Sequence, residues 1–359
     1  MQDSSDRTRF RQRLLAWFDK HQRDLPWRKN RTRYRIWVSE IMLQQTQVVT
    51  VIDYFQRFIK RFPTVKSLAT AEESEVLKFW EGLGYYRRAR QMHAAAIQIV
   101  KQHNGRFPDN FDEVLALPGI GRYSAGAILS IADDQPLPIL EGNTVRVYAR
   151  LMNFQEDVTK SASQKSLWAF ADTLVTRKRP GDLNQALMEL GSEICNKNTP
   201  QCMKCPVASF CLSLQRGDPR QLPNKGTKRV RYEALHQIAI VIQRRKRFAI
   251  RLCGPDEHWT GLWDFPRFTA HTGDIADKLK QVTQETKQRT GLSVQLGTPF
   301  LNLKHAVTRY RIELDCYHAV SVEGRLRAQQ DLRWASLDEL HELAMSVTGR
   351  KIVRHLMKA

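Results

Sequence analysis

The sequence lacks any run approaching the roughly 20 apolar residues of a membrane-spanning helix, which excludes the spanning class. It has no internal repeat and no low-complexity tract. Cysteine is scarce: six in 359 residues are far too few for a disulfide scaffold. Acidic residues are also in short supply, 37 Asp and Glu against 57 Lys and Arg, leaving a net charge of +20. A field of that sign favours an anionic partner, nucleic acid ahead of acidic membrane. The stretch Met1 to Phe10 is polar and charged, unlike a secretory signal, so a cytoplasmic setting is expected.

What is present is a soluble globular composition, 42% hydrophobic and 26% charged, in a chain long enough for two domains. Apolar residues recur at three- and four-residue steps in Phe10–Phe18, Ile36–Phe58, Val76–Phe79, Met92–Val100, Ala125–Ile131 and Leu167–Val175, which predicts helix after helix. Residues 217–231 are rich in Pro, Gly and positive charge and read as a basic linker. Beyond them, alternation in Leu235–Ile242, Phe248–Leu252, Val294–Phe300 and Arg309–Tyr317 predicts strands, interrupted by helices near Asp274–Gln288 and Leu337–Leu343. The expected organisation is a mainly α domain over residues 1–216, the linker, and an α+β domain over 232–359. Both halves carry a basic excess, so both can face one polyanion.

Cys195, Cys202, Cys205 and Cys211 have the spacing C-x6-C-x2-C-x5-C. Four thiolates this close suit zinc or a [4Fe-4S] cluster. Structural zinc takes two short-spaced pairs, and only Cys202 and Cys205 form one, so the uneven spacing favours iron–sulfur over residues 192–213. A structural clamp is preferred to redox catalysis, because no flavin or nicotinamide fingerprint accompanies it. Cys253 and Cys316 stand alone and read as small buried apolar residues.

Leu117-Pro118-Gly119-Ile120-Gly121-Arg122-Tyr123-Ser124-Ala125-Gly126 sits between two helical stretches. Gly119 and Gly121 permit close backbone approach, and the next helix begins with exposed N–H groups, a ready anion site. An ordinary glycine-rich turn has the same appearance in isolation. Glu40, set among Ile41, Met42 and Leu43, is a carboxyl that desolvation would push toward the protonated form.

Together, the Leu117–Gly126 hairpin, Leu140-Glu141-Gly142-Asn143 and the Cys195–Cys211 loop resemble the endonuclease III superfamily of helix-hairpin-helix DNA glycosylases. Within it, Leu25-Pro26-Trp27-Arg28, the run from Ser39 to Gln47 and Trp80-Glu81-Gly82-Leu83-Gly84-Tyr85-Tyr86 resemble the MutY adenine glycosylase family. Residues 232–359, clearest at Gly261-Leu262-Trp263-Asp264-Phe265-Pro266, resemble that family's Nudix-like domain, used to recognise 8-oxoguanine. The paired glutamates of a Nudix hydrolase are missing from Gln284–Leu292, so binding rather than pyrophosphate hydrolysis is expected there.

The resemblance implies hydrolysis of the N-glycosidic bond of adenine mispaired with 8-oxoguanine or guanine in double-stranded DNA. A related mismatch preference, or a DNA-binding homologue without turnover, is the alternative. It implies a [4Fe-4S] cluster and association with the bacterial nucleoid through DNA binding; a monomer is expected because one DNA site is complete within one chain. Glu40 takes the role of acid and Glu141, where the family usually has aspartate, stabilises the sugar cation, with Asn143 orienting the carboxylate or the sugar. Tyr123 stands where bifunctional relatives carry lysine, which implies a monofunctional enzyme, since tyrosine forms no Schiff base. Trp27, Arg28, Leu43, Gln185 and Met188 match the adenine pocket, although Trp27, Leu43 and Met188 equally suit an ordinary core. Gln45, Thr46, Leu83 and Tyr85 match residues that contact DNA around the opposing base. In the lesion-reading loop the family's aromatic and histidine are replaced, leaving Val307-Thr308-Arg309.

Overall fold

The computed structural model describes residues 3–226, 231–270 and 273–358. The chain begins with helices α1 (Ser4–His21), α2 (Pro26–Lys29), α3 (Arg33–Leu43), α4 (Val48–Arg61), α5 (Val65–Ala69), α6 (Glu73–Trp80) and α7 (Arg87–Gln102). There follow α8 (Phe111–Leu115), α9 (Arg122–Asp133), α10 (Gly142–Met152), α11 (Ser161–Leu174), α12 (Pro180–Glu189) and α13 (Leu212–Arg216). Strands β1 (Glu233–Val241), β2 (Gln243–Arg244), β3 (Arg247–Leu252), β4 (Trp263–Asp264) and β5 (Arg267–Thr269) precede α14 (Ile275–Thr290). The chain closes with β6 (Leu292–Val307), β7 (Tyr310–Gly324), β8 (Leu332–Ala335), α15 (Leu337–Glu342) and α16 (Val347–Leu356).

Two units result: residues 3–70 with 91–226, and residues 71–90 with 231–358. In the first, α9 is buried along Ser124–Ile131 and packs against α3 and α12. A helix apolar on nearly every face belongs in a core, and α3 is likewise buried from Ile36 to Met42. Contact with α12 is close because Gly181 has no side chain: a Cβ there would lie 2.2 Å from the Ser130 carbonyl oxygen. Phe10, Leu14, Phe18, Tyr148, Leu167 and Leu187 build a second core region, and Cys195, Cys205 and Cys211 pack on its rim.

In the second unit, one sheet has the order β5-β1-β7-β6, with β1 and β7 parallel and the other pairs antiparallel. The other joins β2, β3, β4 and β8. Helix α14 packs on β6, its buried face formed by Val282, Thr286 and Thr290. Helices followed by a Nudix-like sheet domain are the expected fold class.

Three local expectations change. The single helical run read over Ile36–Phe58 is broken after Leu43, where Gln45 adopts φ of 57° before α4 begins. Residues 71–90, expected in the first domain, pack with the second unit: Glu81 pairs with Arg350, and Arg90 donates to the Thr260 carbonyl. The linker read over 217–231 is not free in its first half. Leu222 is buried, Arg150 donates to its carbonyl, and the Asn224 carbonyl accepts from Val158. Residues 227–230 lie outside the described residues.

Candidate active site

A cavity of about 480 Å³ opens in the first unit, and Glu40, Tyr123, Glu141 and Asn143 all line it. Thr32 caps α3 by accepting from the Arg35 amide, and the burial of that helix carries Glu40 inward with its apolar neighbours. Glu40 is only 5% exposed. Burial pushes its carboxyl up to about 7, against the lowering effect of a hydrogen bond from Tyr123. Glu141 adds to the rise, and Arg28 opposes it. The Tyr123 hydroxyl donates to Glu40 Oε2 at 2.5 Å and reaches Met188 Sδ at 3.5 Å.

Glu141 is the N-cap of α10. Its carboxylate accepts from the Asn143 amide at 2.8 Å and the Thr144 amide at 2.9 Å, while Thr144 Oγ1 accepts from the Glu141 amide. This reciprocal cap turns the longer glutamate side chain back onto its own helix. Burial raises the Glu141 carboxyl; the Asn143 and Thr144 amides pull the other way, favouring the ionised form. Arg146, one turn along α10, donates to Asn143 Oδ1 at 2.8 Å and to the carbonyls of Gly191 and Cys195 at 2.6 and 2.7 Å.

In the same cavity, Arg28 and Arg23 converge on Glu189. Arg28 Nη2 lies 2.9 Å from Glu189 Oε2, Arg23 Nε lies 2.8 Å from Oε1, and Arg28 Nε donates to Gln185 Oε1 at 3.1 Å. Burial works to raise Glu189, but the bonds from the two arginines outweigh it and hold the carboxyl at about 2. The cavity therefore sets a raised carboxyl, Glu40, apart from a depressed one, Glu189, a separation of the kind that divides proton-holding from ionised roles. Glu189 escaped the sequence reading; its four-residue helical spacing from Gln185 is the one signal that could have found it. Trp27, Leu43, Gln45, Thr46, Gln185 and Met188 line the same cavity, with Trp27 edge-on to Phe55.

At the hairpin, Gly119 has φ of 79°, and a Cβ on it would lie 2.8 Å from Gln91 Cβ. Gly121 is the N-cap of α9 and supplies no side-chain bond, so the amides of the first turn are left to an external acceptor.

The cysteine loop is tied to α10. Arg150, buried, donates to Cys195 Sγ at 3.2 Å and to the carbonyls of Asn196 and Lys197. Burial raises the Cys205 thiol to about 12, and Cys195, Cys211 and Cys202 raise it further as electrostatic neighbours. Among the described residues, no three His, Cys, Asp or Glu side chains meet as ligands of a single ion.

Residues 38–172 match the model of the HhH-GPD superfamily base excision DNA repair protein, and residues 237–355 match that of the NUDIX domain. The chain is 46% identical over 223 residues to the adenine DNA glycosylase of Rattus norvegicus, covering 60% of this chain and 43% of that one. It is 37% identical over 260 residues to the adenine DNA glycosylase of Buchnera aphidicola subsp. Acyrthosiphon pisum (strain APS), covering 72% of this chain and 74% of the relative. The chain belongs to the adenine DNA glycosylase family. It spans less than half the length of the mammalian relatives it matches. Among solved structures, a thermostable thymine-DNA glycosylase superposes with a TM-score of 0.53 at 28% identity, covering 59% of this chain and 97% of that one. A non-covalent endonuclease III–DNA complex, at 19% identity and a TM-score of 0.50, shares the fold over 60% of this chain and 98% of its own.

The remaining family positions fall in the second unit. Leu83 is buried, whereas Tyr85 is 56% exposed with φ of 45°. Thr308 and Arg309 form the tip of the β6–β7 hairpin, between paired Val307 and Tyr310, with Thr308 at φ of 51°. Arg309 is held by Glu233 at 3.1 Å and donates to the Tyr310 hydroxyl at 2.9 Å. Among the described residues, no helix is long and apolar enough to cross a membrane.

Proposed function

We propose that this chain is a monofunctional adenine DNA glycosylase that hydrolyses the N-glycosidic bond of adenine opposite 8-oxoguanine or guanine. The observation that carries the reading is a single cavity holding a carboxyl poised near neutrality, Glu40, and a second, amide-capped carboxyl, Glu141. Adenine is a poor leaving group, and its departure leaves an oxocarbenium ion on the sugar. Glu40 gives its proton to the base as the carbon–nitrogen bond breaks. Glu141 lies against the developing cation, and Asn143 holds it there. Water adds to the sugar carbon and returns a proton to Glu40, so an abasic site and free adenine result. The nucleotide is extruded into the cavity from the duplex, with the α9 amides receiving a backbone phosphate. Tyr123 leaves the enzyme without an amine nucleophile at that position, so borohydride should trap no efficient covalent adduct.

The spacing of the cysteine loop favours a resident [4Fe-4S] cluster, which Cys195, Cys202, Cys205 and Cys211 would hold. The donor set is all thiol, its uneven spacing suits iron–sulfur better than zinc, and Arg146 and Arg150 tie the loop to α10. When bound, it clamps the loop. Purified protein should contain about four iron and four sulfide per chain, and zinc in their place would overturn this reading.

Glu141 in place of aspartate and the Thr308-Arg309 tip favour a second reading, a glycosylase of the same family with another mismatch preference. Single-turnover cleavage of duplexes carrying A opposite 8-oxoguanine, G, C and T separates them. Fast cleavage opposite 8-oxoguanine and G supports the first reading; equal or inverted rates select the second. Tight binding with no cleavage of any duplex removes the enzyme.

A further inference from the structure

The turn Gly82–Tyr85 joins α6 to α7 and is anchored at both ends within the second unit. Glu81 Oε1 accepts from Arg350 Nε at 2.6 Å, and Oε2 accepts from Arg350 Nη2 at 2.9 Å and from the Met345 amide at 3.2 Å. Arg350, on α16, is itself fixed by the carbonyls of Leu340 and Leu343 at 2.9 and 2.7 Å. The two partners are 13% and 18% exposed. A planar guanidinium bound through two bonds fixes direction as well as distance. On the far side of the turn, Arg90 donates to the Thr260 carbonyl at 2.6 Å.

What these anchors hold is unfavourable locally. Tyr85 sits in the left-handed region at φ of 45°, a costly place for a bulky residue, and its ring is 56% exposed. Arg88 stacks on both Trp80 and Tyr85 at 5.5 Å and donates to the carbonyls of Leu83 and Gly84. Backbone strain that displays an aromatic ring to water does not help folding; it persists where the surroundings impose it and marks a contact surface. With Arg87, Arg88 and Arg90 alongside, the matching partner is stacked nucleobases with their phosphates.

We propose that the Glu81–Arg350 pair is a positioning device through which the Nudix-like domain sets Tyr85 as a wedge in the base stack. Arg350 and Glu81 touch no DNA in this proposal; they act through Tyr85. The inference rests on the glycosylase reading for its substrate, duplex DNA with a mispaired adenine.

The test is a double-mutant cycle in the full chain with an A:8-oxoguanine duplex carrying 2-aminopurine beside the mispair. Binding is read by 2-aminopurine fluorescence in a Glu40→Gln background, which keeps the duplex intact, and cleavage is read separately under single turnover. Arg350→Ala should cut both signals about tenfold, the scale of one lost base–aromatic stack. Arg350→Lys, which keeps the charge but not the fork, should fall between Arg350→Ala and the parent. In the Tyr85→Ala background, Arg350→Ala should add no further loss, whereas a merely structural role makes the losses add. Additive losses, or full fluorescence with Arg350→Ala, overturn the proposal. Should the parent bind but cleave no duplex, the glycosylase reading fails while the fluorescence cycle still decides the anchor.

Discussion

The Tyr123 hydroxyl lies 2.5 Å from Glu40 Oε2 and is the counterweight to that carboxyl's burial. Desolvation alone favours a neutral Glu40; the phenol stabilises the anion, and the balance falls at about 7, where an acid can both hold and give up its proton. Single-turnover cleavage should therefore fall on an alkaline limb near pH 7. Tyr123→Phe removes a bond that lowers Glu40, so the limb should move upward. A limb that stays in place shows that another group titrates.

Stability should carry the same signature. Glu40 is raised from 4.5 to about 7, so in that window the native chain keeps a proton the unfolded chain releases. Rising pH then favours unfolding, and the loss is complete above about 7. Glu40→Gln removes it, making the variant the more stable by roughly 2–4 kcal/mol near pH 8, with little difference near pH 4. Thermal or denaturant melts at the two pH values check this; a difference independent of pH contradicts it.

Glu141 serves two purposes that substitutions can separate. Glu141→Gln keeps an oxygen for the Asn143 and Thr144 amides but loses the charge, so stability should change by only about 1 kcal/mol. Cleavage should drop by about 100-fold or more. Glu141→Asp keeps charge and cap and should stay within about tenfold of the parent. An unchanged rate in the Gln variant takes Glu141 out of the mechanism.

Glu189, almost fully buried between Arg23 and Arg28, should make the largest stability contribution of the three cavity carboxyls. Its carboxyl is depressed from 4.5 to about 2, so the contribution is present above 4.5 and fades as pH falls toward 2. Glu189→Gln should cost roughly 2–4 kcal/mol near neutrality, Arg23 being partly exposed and screened. Urea melts should show the gap narrowing below pH 4.5; a gap of constant size argues against the ion pairs as its source.

Much of this was legible in the linear order of residues. Helical periodicity reported α1, α7, α9 and α11, alternation reported β1 and β3, and the hairpin and cysteine spacing led to the family. Glu40 was recognisable through the family motif around it; its apolar helix alone equally suits a surface glutamate. Other features depend on partners far along the chain. The break after Leu43 falls in the polar run Gln44-Gln45-Thr46-Gln47, short enough for the apolar spacing on either side to read as one helix, and there one residue, Gln45, turns left-handed. Glu189 looks like any helical glutamate until Arg23 and Arg28 meet it.

Periodicity records which face of an element is apolar, because burial acts on each residue according to its own side chain. It does not record which distant element covers that face. Folding alone brought Arg350 to Glu81 and moved residues 71–90 into the second unit, because ion pairs and carbonyl contacts select partners by position in space, not by distance along the chain.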